Sequence, residues 1–585
     1  MSLFNKIWKL QESAPAEFLN AHPNYSRTTK QLLWNRDIKK EEDIDNFFNS
    51  NYNKDVHSPH TLKDIDRAVS RISSALDKGE SILIYGDYDA DGVCGTALLR
   101  EVFNELGAKK LSTYIPHRED EGYGLNTPSI KDFIKEGINL IVTVDCGSSN
   151  IEEIEFANSS GIDVVVIDHH QITRDDNPAF AHVNPHQEDD KYPFKDLCGT
   201  GVAFKVCTAL LDFRRKKGAK APMEGWEKWL LDLVALATVT DVMPLKGENR
   251  TLVKYGLYVL AQTRRPGLQA LLEKARVNAT YEDGDISTNL DGFTLGFILG
   301  PRINAAGRME HANLALDLLN AKTKKEADVL AHILDTKNKE RQKLVEDIIN
   351  EIDHKQLESS NVIFAGTHDW PIGVAGIVAG RLTQAYNKPA FIYQKKGNKL
   401  IGSVRGPEHL NIVEILQGCE DFLDKFGGHR QAAGFTALVE HEDNLLRSLK
   451  TQVALAMGEM SKEEVSPRVV VDSEISAEEI NWNLYDELEK FDPYGESNPK
   501  PVFLLRGVII RKPSMVGDAK NHFKCLIETS SGRTLKAIGF RFPPEVAHTG
   551  DGSPADILFE LDKNEWNGTR ELDLKLVDVS AKYLL

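Results

Sequence analysis

Between Leu62 and Leu319 the sequence repeats one unit, in which a short apolar run rich in β-branched residues is followed by a turn and a helical segment. The runs are SILIYG, INLIVTV and IDVVVI, and the first is followed by the amphipathic segment VCGTALLREVFNEL. Short apolar strands that alternate with helices are typical of a parallel sheet covered on both faces. We therefore predict an α/β domain with a parallel sheet over residues 61–321.

The length of the chain requires further domains. A chain of 585 residues is too long for one hydrophobic core, so we expect about three or four compact units. Residues 1–60 mix short apolar stretches with turns and are predicted to be an N-terminal lead-in packed on the core. Residues 322–357 form a long run without Gly or Pro, which predicts one long connecting helix.

Two more units are predicted after this helix. Residues 358–462 read as a second α/β domain that is rich in glycine. Residues 463–585 contain about five short strands separated by turns, which favours a small β-barrel of the oligonucleotide-binding type.

The composition is that of an ordinary globular protein, with 41% hydrophobic and 27% charged residues. The six cysteines show no CxxC spacing, which indicates neither a zinc site nor a disulfide framework and favours the cytoplasm. Because no apolar run reaches about 18 residues, we expect neither secretion nor membrane insertion.

The net charge of -17 argues at first against a nucleic-acid partner. Locally, however, the stretch from Lys500 to Glu545 carries nine Lys or Arg against three Asp or Glu. A basic surface on the C-terminal unit is therefore expected. Phe523 and Trp566 in this unit fit either base stacking or the barrel core equally well.

Acidic residues and histidines follow the predicted strands at the point where each strand ends. Ligands of open parallel sheets collect at this edge, so we expect the side chains to converge. After the first strand come Asp87, Asp89 and Asp91; after the second, Asp145; after the third, Asp168, His169 and His170; and Asp241 follows the apolar run LLDLVALATVT.

So many carboxylates need neutralising charge, because like charges raise each other's pKa strongly. Carboxylates with one or two imidazoles suit Mg²⁺ or Mn²⁺. Two such ions can activate a water and stabilise both the attacking and the leaving oxygen of a displacement at phosphorus. Taken singly, each group also fits a turn, a helix cap or a surface histidine; together they favour a metal-dependent phosphodiesterase.

Several motifs resemble those of the DHH phosphoesterase superfamily. YGDYDADG, TVDCG and IDHH resemble its first three motifs and TDVMPL its fourth, while GSVRG and FGGHRQAAGF resemble the DHH-associated domain. LGPRINAAGRM and DPYGESNPKPVF are similar to segments of the RecJ family of single-strand-specific exonucleases, the second at the start of their oligonucleotide-binding domain. The resemblance covers nearly the whole chain and keeps the order of the motifs.

The resemblance implies roles for the acidic and imidazole side chains. His170 is expected to touch the scissile phosphate or a metal, and Asp145 to bridge the two ions. Asp168 and Asp87 are expected to contact the ligands without binding the metal themselves. Asp168 would orient an imidazole through a hydrogen bond. The implied metal ligands are Asp89, Asp91, Asp145, His169 and Asp241.

One position departs from the superfamily pattern. Many members have a His four residues before the first ligand Asp, whereas this chain has Tyr85. Since a phenol is a poor ligand for Mg²⁺, we expect water or Asp87 to complete that site.

Basic and small residues in the later motifs are candidates for binding substrate phosphates. For the arginines, the alternative is a loop tied to neighbouring carboxylates. The glycine-rich turn of FGGHRQAAGF could bind the 5′-terminal phosphate or be only a tight turn. The candidates are Arg302, Asn304, Arg308, Ser403, Arg405, Gly428, His429 and Arg430.

The resemblance implies an exonuclease that degrades single-stranded DNA from 5′ to 3′ to mononucleotides, in recombination and repair, with two Mg²⁺ or Mn²⁺ ions. The family further implies single-strand-binding protein and a RecQ-type helicase as partners, and a cytoplasmic location associated with the nucleoid. Two alternatives stay open. One is a small-substrate phosphodiesterase acting on oligoribonucleotides or cyclic dinucleotides, and the other is a non-catalytic scaffold that binds single-stranded DNA.

Overall fold

The computed structural model describes the chain except residues 1, 2, 5, 173, 175, 283, 284, 288, 289, 353–356, 358, 459, 518, 519, 544, 545, 547–549, 567, 568 and 582–585. For residues 281, 282, 285–287, 462, 566, 569 and 581 the structure describes the backbone alone. The N-terminal lead-in forms a short strand and four helices: β1 (Ile7–Leu10), α1 (Ala16–Ala21), α2 (Arg27–Asn35), α3 (Glu41–Phe48) and α4 (Tyr52–Asp55).

The next domain contains the predicted parallel sheet. Its strands are β2 (Ser81–Gly86), β3 (Lys110–Tyr114), β4 (Leu140–Val144), β5 (Asp163–Ile167) and β6 (Ala181–Val183). Its first helices are α5 (Ile65–Lys78), α6 (Ala90–Glu105), α7 (Thr127–Lys135), α8 (Ile151–Ser159) and α9 (Gly199–Lys216). The helices α5, α6 and α9 pack on one face of the sheet and α7 and α8 on the other, which explains why β4 is buried along its whole length.

The strand order of this sheet is β3-β2-β4-β5-β6, and all neighbours are parallel. The chain therefore changes direction across the sheet between β2 and β4. In open α/β sheets, ligands bind outside the carboxyl ends of the strands at such a switch point. The topology therefore predicts a ligand site at the residues that directly follow β2 and β4.

A mainly helical region completes this part of the chain. Among the described residues, its last helices frame a six-residue π-helical segment, Thr294–Leu299. The elements are α10 (Leu231–Thr240), α11 (Gly247–Ala261), α12 (Pro266–Ala275), β7 (Thr280–Glu282), β8 (Asp285–Ser287), α13 (Gly300–Met309) and α14 (Asn313–Asn320).

A long helix, α15 (Lys324–Glu351), leads to the second α/β domain. Ala327, Ala331 and Leu334 in its first half join the core of the first domain, whereas Val345 and Ile348 in its second half join the core of the second. The first half of the helix therefore packs on the first α/β domain and the second half on the second.

The second domain has a five-stranded mixed sheet in the order β12-β13-β11-β10-β9, in which β9 and β10 are parallel and the other pairs antiparallel. The elements are β9 (Ile363–Thr367), α16 (Ile372–Tyr386), β10 (Ala390–Lys396), β11 (Lys399–Arg405), α17 (Ile412–Gln417), β12 (Lys425–His429), β13 (Ala432–Leu438), α18 (Glu442–Gly458) and α19 (Lys462–Val465).

The C-terminal domain is a β-barrel. Its six-stranded sheet runs in the order β15-β16-β17-β18-β20-β19, and a further pairing of β16 with β19 closes it. Phe523 is fully buried in the barrel core, while the side chain of Trp566 lies outside the described residues. The elements are β14 (Arg468–Val471), β15 (Ser473–Glu474), α20 (Trp482–Glu489), β16 (Phe503–Val516), β17 (His522–Glu528), β18 (Thr534–Phe540), β19 (Ser553–Trp566) and β20 (Thr569–Ala581).

The N-terminal lead-in packs differently from the sequence-based expectation. Its strand β1 pairs in parallel with β14, and Phe18, Leu33 and Phe48 share one apolar core with the barrel. The end of the segment also contacts the first α/β domain, for example through Tyr52 against Tyr255. Sequence order could not reveal this, because the apolar partners lie near the other end of the chain.

Arg250 holds three parts of the chain together. Its side chain is 2% exposed and donates hydrogen bonds to the carbonyl oxygens of Phe47, Lys490, Phe491 and Asp492. These acceptors belong to α3 and to the segment between α20 and β16, while Arg250 itself lies on α11. The DPYGESNP motif is thus the junction between the barrel and the first α/β domain.

Asp492 in this junction is expected to make the free energy of unfolding depend on pH. Burial first, and then the nearby charge of Asp291, raise its pKa to about 7 from the ordinary value of 3.8. Because the folded protein binds this proton more tightly than the unfolded chain, the ionisation lowers the free energy of unfolding as the pH rises from about 4 to 7.

We expect Asp492→Asn to stabilise the protein at pH 8 by on the order of 2 kcal/mol, with little effect at pH 4. The difference in Tm between variant and wild type should grow across this pH range. Asp486→Asn, on the exposed face of α20, is the matched control and should show no such trend. A pH-independent difference for Asp492→Asn would contradict the assignment.

None of the helices in the described part of the chain combines the length and apolar character needed to cross a membrane.

Candidate metal centre and phosphate-binding residues

The acidic side chains meet at the switch point of the parallel sheet. Asp87, Asp89 and Asp91 follow β2, and Asp145 follows its neighbour β4. Asp168, His169 and His170 follow β5, the next strand along. Asp241 reaches the same edge from the C-terminal end of α10.

Three groups of these side chains have ligand atoms that lie within 4.8 Å of one another. The Nε2 atom of His169 is 3.2 Å from Oδ1 of Asp145, and 3.5 Å from Oδ2 of Asp241. Asp145 belongs to two groups, as does His169, so the groups adjoin. They are Asp87 with Asp89 and Asp145; Asp145 with His169 and His170; and Asp91 with His169 and Asp241.

Backbone N–H groups orient two of the carboxylates. Asp91 accepts hydrogen bonds from the N–H groups of Gly199 and Thr200, at the N-terminus of α9, with distances of 2.6 and 2.7 Å. Asp89 caps α6 by accepting from the N–H groups of Asp91 and Gly92. Helix N-termini favour such negative charge, which helps to hold the carboxylates in place.

The close approach of α9 requires glycine at its first position. An ideal Cβ at Gly199 would lie 2.7 Å from Cβ of Asp145, closer than real Cβ contacts. Gly199 therefore lets the helix N-terminus reach the acidic residues.

Burial and mutual repulsion disfavour the ionised form of these carboxylates. Burial first, and then neighbouring carboxylates, raise the pKa of Asp87 and Asp145 well above the usual range. Burial and then Asp91 raise the pKa of Asp241 to about 9. Within the described residues, Oδ1 of Asp87 and Oδ1 of Asp145 are buried without a hydrogen-bond partner.

These observations fit divalent cations. Carboxylate oxygens with imidazole nitrogens form the kind of donor set that Mg²⁺ and Mn²⁺ accept, and two buried oxygens have lone pairs available. Burial lowers the pKa of His169, which favours the neutral imidazole that a metal needs.

Asp168 and His170 form a different kind of pair. Asp168 accepts hydrogen bonds from the N–H groups of Ser148 and His169, and from Nδ1 of His170 at 2.8 Å. Burial would raise the pKa of Asp168, but the hydrogen bond and charge of His170 hold it below the usual range. Burial lowers the pKa of His170, but Asp168 outweighs this effect and raises it to about 9. Asp168 therefore favours the protonated form of His170.

Tyr85 lies in the apolar core on the other side of β2. Its hydroxyl donates to the carbonyl oxygen of Gly124 at 2.9 Å, and its ring stacks on Tyr114. The phenol is thus occupied away from the acidic residues. Asp87, expected either to support the ligands or to complete this site, has an oxygen without a hydrogen-bond partner among the described residues and lies in a ligand group with Asp89 and Asp145.

Tyr123 was missed by the sequence analysis. Its hydroxyl donates to the carbonyl oxygen of Asp145 at 3.1 Å and lies 3.0 Å from Nδ1 of His170. The available signal was its place between Gly122 and Gly124, both with positive φ, which indicates a tight loop. Sequence alone did not indicate where that loop goes.

The candidates for phosphate binding on α13 have distinct surroundings. Asn304 accepts a hydrogen bond from the N–H group of Ala90. Ala90 lies between Asp89 and Asp91, near the end of residues 87–91, which we call the acidic loop. Arg302 instead pairs with Asp335 at 3.0 Å and donates to the carbonyl oxygen of Ile298, which matches the alternative of an arginine tied to a carboxylate. It lines an open cavity of about 420 Å³ with Lys274, Arg276 and Lys339.

Arg308 belongs to a cluster of arginines between the two α/β domains. It donates to the carbonyl oxygen of Gly373, and burial first, then Arg118 and Arg341, lower its pKa to about 9. Burial and Arg118 also lower the pKa of Arg405, which donates to the hydroxyl of Ser403. Nε of Arg341 is buried with no hydrogen-bond partner among the described residues. Such a concentration of cations suits an anion.

The arginine cluster borders the acidic loop. The guanidinium of Arg118 lies 4.6 Å from the ring centroid of Tyr88. Tyr88 is the residue between Asp87 and Asp89 in the sequence. An ideal Cβ at Gly307, next to Arg308, would be 2.6 Å from the carbonyl oxygen of Tyr88. Arg118 was not singled out by the sequence analysis, because its loop carries no periodic pattern.

The glycine-rich motif of the second domain forms the hairpin between β12 and β13. Gly428 has a φ of 149° and an ideal Cβ there would meet the carbonyl oxygen of Ala432 at 2.4 Å, so only glycine fits. His429 and Arg430 are exposed at this hairpin. The N–H group of Gly406, next to Arg405, donates to the carbonyl oxygen of Gln431, which holds the turn beside the end of β11.

Comparison with known proteins supports the three motif-bearing regions. Family models match the chain as the DHH family N-terminal domain over residues 81–238, the DHHA1 domain over residues 359–455 and the RecJ OB domain over residues 471–578. The single-stranded-DNA-specific exonuclease RecJ of Salmonella typhimurium is 34% identical over 543 residues, which cover 88% of this chain and 90% of that protein. The chain belongs to the RecJ family.

Other relatives agree. The protein of the same name from Bacillus subtilis is 35% identical over 90% of this chain, and the match covers 64% of its own length. The crystal structure of Thermus thermophilus RecJ in complex with Mn²⁺ superposes with a TM-score of 0.78 at 27% identity, covering 98% of this chain and 79% of that chain. The Mg²⁺ complex of the same protein gives a TM-score of 0.74 at 26% identity, with coverage of 98% and 78%. The predicted fold class is confirmed.

Proposed function

We propose that the protein is a hydrolase that degrades single-stranded DNA as an exonuclease with divalent cations. The observation that carries this proposal is the contact between the acidic residues and the arginine cluster. One group of side chains can hold cations and the other can hold phosphates, and Tyr88 lies between them. The names of the RecJ relatives support the same substrate.

The metal ligands we propose are Asp89, Asp91, Asp145, His169 and Asp241, to which the structure leads us to add Asp87. Asp145 is the proposed bridge between two ions, because it belongs to two of the three ligand groups. When bound, Mg²⁺ or Mn²⁺ would activate a water and neutralise charge that develops on the phosphate oxygens.

The other residues bind and orient the strand. His170, protonated and held by Asp168, offers a positive N–H group to a phosphate oxygen near the acidic residues. Arg308, with Arg118, Ser403 and Arg405, would hold phosphates across the domain boundary. We keep Gly428, His429 and Arg430 as the proposed contact for the 5′-terminal phosphate, and Asn304 as a residue that fixes the acidic loop.

The domain architecture is consistent with a single strand as substrate. We propose the division of the chain at residues 60, 321, 357 and 462, with the barrel delivering the strand to the first two domains. On the basis of family membership, we propose degradation from 5′ to 3′ to mononucleotides. On the same basis we propose single-strand-binding protein and a RecQ-type helicase as partners, and action in the cytoplasm.

A product assay tests the proposed function. DNA strands labelled at the 5′ or the 3′ end, single or duplex, with RNA alongside, are incubated with Mn²⁺ or Mg²⁺. We expect 5′-labelled single-stranded DNA to release labelled mononucleotide at once and 3′-labelled strands to shorten stepwise. Cleavage limited to short oligoribonucleotides or cyclic dinucleotides would overturn the proposal, as would strand binding without any release.

A further inference from the structure

Phe293 and Phe297 form an exposed pair of stacked aromatic rings. Their side chains are 57% and 72% exposed, and the ring centroids lie 5.0 Å apart with an angle of 22° between the planes. Large aromatic residues exposed side by side in a soluble protein mark a surface that meets a partner. Neither residue belongs to the motifs that carry the proposed function.

The backbone that presents these rings is unusual. Phe293 precedes, and Phe297 lies within, the π-helical segment Thr294–Leu299. Single π-helical turns are rare and occur frequently at functional sites. The segment packs on the last turn of α10, because an ideal Cβ at Gly296 would lie 3.3 Å from Cγ1 of Val239, and one at Gly300, directly after the segment, 2.2 Å from Cγ2 of Thr240. The next residue of the chain after Thr240 is the proposed ligand Asp241.

The surroundings place the pair between the barrel and the acidic residues. Before it, an ideal Cβ at Gly292 would lie 2.2 Å from the carbonyl oxygen of Tyr494, in the junction that leads to the barrel. After it, Asn304 accepts a hydrogen bond from the N–H group of Ala90, in the acidic loop. Val242, 64% exposed, adds apolar surface beside Asp241.

We propose that nucleobases of the single strand stack on Phe297 and Phe293 as the strand passes between the barrel and the metal centre. This inference rests on the proposed function and assigns to it a base-binding surface. The free face of an aromatic ring stacks on any base, so the surface would add affinity without sequence preference. Bases paired and stacked inside a duplex are not available to it, which favours single strands.

A binding assay with the full-length protein in chelator tests the proposal without cleavage. The probes are a series of oligodeoxynucleotides, each with one abasic site at a different distance from the 5′ end. We expect the wild type to bind one or two of these strands roughly 5- to 100-fold more weakly than the intact strand. Phe297→Ala should bind the intact strand as weakly as the wild type binds the abasic strand. The affinity of Phe297→Ala should be the same for the intact and the abasic strand.

Two further variants separate stacking from folding. Phe297→Trp keeps a stacking face and should retain the penalty for the abasic strand. Phe180→Ala changes a partly exposed phenylalanine at the opposite, amino end of the sheet, just before β6, and should behave as wild type.

The outcomes distinguish this inference from the proposed function. If Phe297→Ala and wild type show the same abasic penalties, the bases do not stack there and the rings serve a protein partner, which overturns the proposal. If the penalty disappears in Phe297→Ala but the wild type releases no nucleotide with Mn²⁺, the stacking surface stands and the nuclease assignment fails.

Discussion

Asp145→Ala and Asp145→Asn are expected to lower kcat for strand cleavage by about 10³-fold or more while leaving the fold intact. Asp145 belongs to two of the three ligand groups and is the proposed bridge, so its removal should disturb both proposed cations. Metal stabilisation of the transition state contributes several kcal/mol, and a loss of about 1.4 kcal/mol lowers the rate tenfold.

Asp145→Asn should not destabilise the metal-free protein. Oδ1 of Asp145 has no hydrogen-bond partner among the described residues, and burial with neighbouring carboxylates raises its pKa. The ionised form of this carboxyl is therefore unfavourable in the folded protein. Since the φ of Asp145 is 63°, which Asn tolerates better than Ala, Asp145→Asn should have a Tm in chelator equal to or above that of wild type.

The measurement is the rate of mononucleotide release beside a thermal melt in chelator. Asp132→Ala, an exposed substitution on α7, is the matched control and should retain wild-type turnover. Wild-type turnover of either Asp145 variant would refute the bridging assignment.

Arg308→Ala is expected to lower kcat/KM for single-stranded DNA by about 10²-fold. A charged hydrogen-bonding group lost from a buried contact typically costs about 2 to 5 kcal/mol, and a hundredfold loss lies in the lower half of this range. Arg308→Lys keeps the charge but loses the two-pronged guanidinium, so an intermediate effect is expected.

An anion titration separates phosphate binding from a purely structural role. Because neighbouring arginines repel each other, inorganic phosphate should raise the Tm of wild type, and this increase should shrink in Arg308→Ala. Arg67→Ala, which removes an exposed arginine paired with Asp64 on α5, should keep the full increase. An unchanged phosphate effect in Arg308→Ala would contradict the proposed anion site.

Local patterns in the sequence predicted the parallel sheet and the acidic strand ends. Each strand is a short apolar run, and parallel strands bring their carboxyl ends to one edge, so the convergence of Asp89, Asp145 and His169 follows from the pattern itself.

Residues whose meaning depends on distant partners were not predictable. Arg302 and Arg308 lie on one helix, yet the first pairs with Asp335 and the second joins other arginines. Likewise, nothing in the apolar residues of α2 and α3 indicates that they bury against the barrel. Tyr123 lies beside His170 only because a loop folds over β4.

Anomalous scattering from crystals soaked in Mn²⁺ would test the central claim most directly. We expect two peaks, one on each side of the Asp145 carboxylate and each within bonding distance of the ligands proposed above. Crystals of Asp145→Asn should lose at least one peak. An anomalous map with no Mn²⁺ at these carboxylates, in crystals that cleave single-stranded DNA when dissolved, would contradict the proposed metal centre.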